Sequence, residues 1–162
     1  MRTETDKPEF VYVTYIETTP EKLWHALTDR DFSRRYWFGY GVQSSWKVGA
    51  PFELEQNGAI ANSGEVLESD PPRRLAYTWA TLHDAEMKKE RPSRVTFEIE
   101  QLEGAVKLTV THEDFAQGSK VLPSISGGWP MVLASLKSVL ETGRTLNLHG
   151  CLHDESSVAA AE

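Results

Sequence analysis

Apolar and polar positions alternate through much of the middle of the chain. Residues 94–100 (RVTFEIE) place Val95, Phe97 and Ile99 on one side, and residues 105–111 (AVKLTVT) do the same with Val106, Leu108 and Val110. Strict alternation marks an antiparallel strand with one buried and one wet face. Residues 73–80 (RRLAYTWA) predict another strand, with Leu75, Tyr77 and Trp79 on one face. Residues 9–16 (EFVYVTYI), rich in β-branched and aromatic side chains, predict the first strand. Asn57-Gly58, between PFELEQ and the segment ending GEVLES, is a strong two-residue hairpin signal. Asp70-Pro71-Pro72 breaks the next connection, and Glu103-Gly104 lies in the turn between the last two strands. Residues 40–114 therefore read as all-β, apart from the charged segment 83–92 (HDAEMKKERP), which reads as a solvated loop.

Helical periodicity flanks this region. Thr19-Pro20-Glu21 starts a helix: Thr19 suits the cap, Pro20 the first turn and Glu21 the positive end of the dipole. Leu23, Trp24 and Leu27 give it an apolar face, with Trp24 expected in the core. Asp29 or Asp31 starts a short second helix running through Tyr36. A long helix is predicted from about Gly128 to Thr142, where Trp129, Val132, Leu133, Leu136, Val139 and Leu140 form one stripe. Pro130 falls in its first turn and Gly143 just past its end. Strands and helices that segregate along the chain indicate an α+β fold. The long helix is expected to lie across the concave face of a curved antiparallel sheet. One domain over residues 9–146 is expected, with flexible ends at 1–8 and 147–162.

The chain has 162 residues, of which 40% are hydrophobic and 25% charged, enough to build a core without staples. A net charge of −7 argues against broad attraction to nucleic-acid phosphates. The single Cys forms no internal disulfide. The beginning of the chain (MRTETDKPEF) has no apolar signal core, and no run of 18 apolar residues occurs, so no membrane span and a cytoplasmic location are expected.

The order of these elements, with TTPEKLWHALTD, YWFG, GEVLESDPPRRLAYTW, SRVTFEIE, LTVTHEDF and GWPMVLASLKSVLETG, resembles the SRPBCC or START-like superfamily. Within it, the chain is most similar to the family named after the activator of heat-shock protein 90 ATPase. The resemblance covers roughly residues 9–146. It implies a helix-grip fold, in which about seven strands grip the C-terminal helix. It also implies a cavity between sheet and helix that many superfamily members use for apolar small molecules.

Aromatic side chains supply the candidate chemistry. There are five Trp, five Tyr and six Phe, with a cluster at Tyr36-Trp37-Phe38-Gly39-Tyr40. Aromatics build both ordinary cores and the rigid apolar walls of small-molecule pockets. Tyr77 and Trp79 share a strand face with the stripe of Trp129 and Leu133 expected opposite, and Phe97 lies on the next strand. Trp37 and Phe38 fall where the resemblance places the cavity mouth. Trp46 and Phe52 are weaker candidates. His112 continues the inward parity of Val110, as a hydrogen-bonding handle, an acid–base group, or a histidine tied to a loop.

The expected ligand-binding set is thus Trp37, Phe38, Tyr77, Trp79, Phe97, His112, Trp129 and Leu133. No catalytic residue is nominated, because the chain lacks a nucleophile elbow, a P-loop, a dinucleotide fingerprint and a zincin motif. No cofactor or metal is expected. His149, Cys151 and His153 have the spacing of soft metal ligands but no fourth ligand, and the pairs Arg34-Arg35, Arg73-Arg74 and Lys88-Lys89 read as surface. The reading is a protein that binds a small hydrophobic or aromatic molecule. The alternatives are a co-chaperone-type partner, by family resemblance, or an enzyme acting on a hydrophobic substrate in the same cavity. Oligomeric state is not encoded in these patterns.

Overall fold

The computed structural model describes residues 7–148. Strand β1 (Phe10–Ile16) leads into two short helices, α1 (Pro20–Thr28) and α2 (Arg30–Tyr36). Six strands follow: β2 (Gly41–Gln43), β3 (Pro51–Gln56), β4 (Ala59–Asp70), β5 (Arg74–Thr81), β6 (Ser93–Leu102) and β7 (Ala105–Glu113). Helix α3 (Val121–Thr142) closes the fold. The strands make one seven-stranded antiparallel sheet in the order β1-β7-β6-β5-β4-β3-β2, so β1 and β2 are its edges. This is the α+β helix-grip architecture, with the expected two short helices after the first strand.

Local chemistry sets the boundaries. Thr19 accepts the Lys22 N–H at 3.2 Å and caps α1. Asp29 ends α1 and accepts the Phe32 N–H at 2.8 Å, so Asp29, not Asp31, caps α2. Asn57 and Gly58 both have positive φ, 54° and 86°, in the tight turn that joins β3 to β4. The inward faces of β5, β6 and β7 follow the alternation: Leu75, Tyr77, Val95, Phe97, Val106, Leu108 and Val110 are all buried.

Three expectations change. Helix α3 begins at Val121, a full two turns before Gly128. Ser119 Oγ accepts the N–H groups of Val121 and Leu122 at 3.0 and 3.2 Å, and Val121 and Ile125 bury their side chains, so packing carries the helix through Gly127-Gly128. Trp24 is only half-buried, because α1 turns Leu23, Ala26 and Leu27 inward and leaves Trp24 at the edge of that stripe. Residues 83–92 are not wholly a solvated loop: a single 3-10 turn spans Met87–Lys89, and His83 is half-buried.

The paired arginines lie at the surface. Arg34 meets Glu55 at 2.9 Å, Arg73 meets Asp70 at 2.8 Å, and Arg74 bridges Glu68 and Glu98 at 2.7 and 2.6 Å. Such exposed pairs contribute little individually.

Gly64 marks the tightest backbone approach in the sheet. A Cβ there would lie 1.9 Å from the Thr78 carbonyl oxygen, close to the irregularity between Val66 and Glu68 where β4 shifts register against β5. Relief requires moving backbone in two strands that line the concave face. Gly64→Ala is therefore expected to destabilise the fold by about 3 kcal/mol, read as a lowered midpoint in urea unfolding. An unchanged midpoint would mean the strands can part freely here.

Candidate functional site

Three indoles converge where α3 crosses the sheet. Trp37 sits at the C-terminal end of α2, Trp79 on β5 and Trp129 on α3. Their ring centroids lie 6.3 Å (Trp37–Trp79), 5.5 Å (Trp37–Trp129) and 5.6 Å (Trp79–Trp129) apart. The end of α2 is fixed by Ser33, whose hydroxyl donates to the Arg30 carbonyl and accepts the Val42 N–H at 2.9 Å. Tyr36 adds a buried bond from its hydroxyl to the Ala26 carbonyl at 2.8 Å, and burial holds that phenol well above its ordinary range. Phe38 follows with φ of 53°, in the left-handed region that costs a bulky residue about 1 kcal/mol. The Gln56 amide donates to the Phe38 carbonyl at 3.4 Å, tying this turn to β3.

Around these indoles is a cavity of about 90 Å³. Trp37, Phe38 and Tyr40 form one wall, and Leu54, Ala61, Asn62, Trp79 and Thr81 form the floor on β3, β4 and β5. The first half of α3 roofs it, from Ser124 to Val132, and His83 closes one side. Gly128 lines the roof, and a Cβ there would meet nothing within 4 Å. Two larger hollows, about 350 and 510 Å³, are shallow grooves among mostly polar side chains such as Glu17 and Gln101, or Arg73 and Glu100. They lack the aromatic walls of the smaller cavity, which is therefore the better candidate site.

Behind the indoles runs a buried polar chain. The Trp129 Nε1–H donates to His112 Nδ1 at 3.0 Å, and His112 Nε2 lies 2.7 Å from Ser93 Oγ. An indole nitrogen is only a donor, so His112 Nδ1 must be the bare nitrogen and Nε2 carries the proton. Nε2–H then donates to Ser93, whose hydroxyl donates on to the Trp79 carbonyl at 3.3 Å. Both ring nitrogens are engaged within the core, leaving His112 no free base toward the cavity. His112 is 0% exposed, and burial pushes its imidazole down to about 3.

Of the eight residues expected at the site, Trp37, Phe38, Trp79 and Trp129 line the cavity together. Tyr77, Phe97, His112 and Leu133 do not; they are packed one layer behind it. Tyr77 stacks on Phe52 at 4.0 Å, and Phe97 meets the edge of Trp129 at 5.9 Å. Sequence reasoning missed Asn62, Thr81 and His83. Asn62 donates to Thr81 at 3.2 Å within the floor. On two of the lining residues, Trp79 Nε1 and His83 Nδ1 are buried and have no hydrogen-bond partner among the described residues. Burial also lowers the His83 imidazole below its ordinary value. Among the described residues, no group of three His, Cys, Asp or Glu could hold a metal ion. His149, Cys151 and His153 lie outside the described residues.

The family model described as activator of Hsp90 ATPase homolog 1-like protein matches residues 17–141. The chain belongs to this family. Three solved structures illustrate the likeness in fold. The Aha1 dimer from Colwellia psychrerythraea is 21% identical, with a TM-score of 0.68, covering 84% of this chain and 98% of that one. A protein from Mesorhizobium loti is 26% identical, with a TM-score of 0.70, covering 82% and 96%. An Hsp90 activator from Plasmodium falciparum is 23% identical, with a TM-score of 0.63, covering 94% and 96%. No curated protein matches the sequence. No helix among the described residues is long and apolar enough to cross a membrane.

The buried imidazole couples stability to pH. An unfolded His112 protonates near 6.5, whereas the folded one stays neutral to about 3. Between those values the unfolded chain binds a proton that the native chain does not. Stability therefore falls as pH falls, by about 1.4 kcal/mol per pH unit from this residue. His112→Gln keeps polar partners but cannot titrate. Urea unfolding at pH 6.5 and 5 is expected to show a shallower pH dependence in the variant by about that amount. Equal slopes would mean that His112 protonates in the folded protein.

Proposed function

We propose that this protein binds a small hydrophobic or aromatic molecule in the cavity between the sheet and α3. The observation that carries this reading is the wall of three indoles beside an unfilled space, one of them with a buried N–H that has no partner among the described residues. Well-packed interiors leave few such voids, and buried donors are nearly always paired. Rigid aromatic walls bind flat apolar surfaces without first losing side-chain entropy. A volume of about 90 Å³ is small beside sites for drug-sized ligands, which favours a compact ligand that projects through the mouth. The wall is Trp37, Phe38, Trp79 and Trp129; Tyr77, Phe97, His112 and Leu133 support it from behind.

The family match favours a second reading, a co-chaperone that engages Hsp90, as the Plasmodium relative is described. That role predicts stimulation of the Hsp90 ATPase by the purified protein. It also predicts no dependence on the filling of the cavity.

Gly128 separates binding from folding. Gly128→Ala is expected to stabilise α3 by roughly 1 kcal/mol, because alanine favours a helix and the space above Gly128 is open. Gly128→Leu carries enough side chain to occupy the cavity. Amide NMR shifts titrated with single-ring aromatics, flavonoids and fatty acids are expected to saturate around Trp79 and residues 124–132 in the native protein. Affinity is expected to fall at least tenfold in Gly128→Leu, with no loss of stability. Undiminished affinity in that variant would place the ligand elsewhere.

A further inference from the structure

The two edges of the sheet are finished differently. On β2, the Ser33 hydroxyl of α2 takes the Val42 N–H at 2.9 Å. On β1, only the C-terminal end is covered. Lys137 of α3 donates to the Tyr15 carbonyl at 2.6 Å, and Glu141 accepts the Glu17 N–H at 2.9 Å. Those two bonds show which way the strand turns its groups. Hydrogen-bonding direction alternates along an antiparallel strand, so the N–H and C=O of Val11 and Val13 point outward with those of Tyr15. Among the described residues no strand meets them, because β7 pairs with the other side of β1.

The same residues make this edge apolar. Val11, Val13 and Tyr15 lie on the face of the sheet away from α3 and are 49%, 45% and 54% exposed. Beside them on β7 stand Thr111, Thr109 and Lys107. On the other face, Phe10 and Tyr12 are half-buried. Free edges are usually blunted by a charge, a proline or a bulge. The stretch from Phe10 to Ile16 carries none of these.

A second copy of the chain fits this edge in one register. Only registers that set odd-numbered residues against odd-numbered ones let the outward groups meet. A two-fold axis through Tyr12 sets Val11 against Val13 of the second copy, Glu9 against its Tyr15, and Lys7 against its Glu17. Lys107, beside Tyr15 on β7, adds a cation near that Glu9. Moving the axis to Val13 opposes Glu9 to Glu17, two like charges. Moving it to Val11 sets Glu9 against Val13 and Lys7 against Tyr15. Opposite charges therefore align about Tyr12 and at neither neighbouring axis. The pairing uses the β1 edge of both copies while Ser33 holds β2, so association closes at two.

We propose that this protein self-associates as a two-fold dimer through β1, joining two seven-stranded sheets across Val11 and Val13. The pairing does not depend on whether the cavity takes a ligand.

Sedimentation equilibrium of the full chain from about 1 to 500 µM tests it, with amide hydrogen exchange at both ends of that range. The mass is expected to double with concentration, and exchange at the Val11 and Val13 amides to slow at least tenfold in the dimer. Val13→Lys brings two charges into the joint while leaving the core untouched. It is expected to raise the dissociation constant at least tenfold with an unchanged urea midpoint. Lys7→Glu is expected to weaken the dimer several-fold, and Lys7→Glu with Glu17→Lys to restore it. A monomer throughout the range overturns the proposal, as do species that grow past two. A dimer that survives Val13→Lys, or whose Val11 and Val13 amides exchange freely, is joined elsewhere and also overturns it. Failure of the paired charge swap alone overturns the register and leaves the edge assignment standing.

Discussion

Helix α3 meets the sheet through a hydrogen bond that fixes where it can sit. Trp129 projects inward from the helix and donates its indole N–H to His112 on β7, 3.0 Å away. The same imidazole donates to Ser93 on β6, and Ser93 donates to the carbonyl of Trp79 on β5. One polar chain thus ties the helix to three neighbouring strands in a region that is otherwise apolar. It is directional, where hydrophobic packing is not, and so it specifies the depth and rotation of the helix as well as its burial. Losing either end strands a buried donor or acceptor.

The cavity follows from this anchoring. With Trp129 held down, two further indoles are brought to within 6.3 Å of one another and of it, and bulky rings at tilted angles do not tile a corner completely. Directly above, α3 carries Gly128, which contributes no side chain to fill the gap. The helix persists through them because Val121 and Ile125 pack on one side and Val132, Leu133 and Leu136 on the other. The site is therefore made by a strong contact beside a missing one. It is also electrically quiet: His112 is neutral within the core, and the charged pairs of Arg74 and Arg34 lie at the surface. An uncharged aromatic wall is suited to recognising a neutral apolar compound.

Much of this architecture can be read from period and punctuation. Alternation placed Tyr77, Trp79, Phe97 and His112 on inward faces, and Thr19 and Gly143 bound their helices as capping chemistry requires. Parity, however, reports which face a side chain takes and not its depth. Tyr77 and Phe97 share their parity with Trp79, yet they lie in the packed layer while Trp79 borders open space, because Trp129 covers one and Phe52 stacks on the other. The early start of α3 is hidden for a related reason. Gly127 and Gly128 weaken the helical pattern and Pro130 suits a first turn, but Val121 and Ile125 bury their side chains and carry the helix on, with Pro130 inside it. His83 stands at the edge of a charged segment with no periodicity, so nothing in the pattern signals that it folds back over the cavity. A cavity is a missing side chain, and hydropathy has no symbol for that.

The central claim is that the space beneath α3 is a binding site for a compact aromatic molecule. Its most direct test is an isotope-filtered NOE experiment on the 13C-labelled protein saturated with an unlabelled single-ring aromatic. The account predicts intermolecular NOEs from the ring protons of the probe to the indoles of Trp37, Trp79 and Trp129 and to the methyl of Met131. NOEs confined to the shallow grooves near Glu17 or Arg73, or none at saturation, would contradict it.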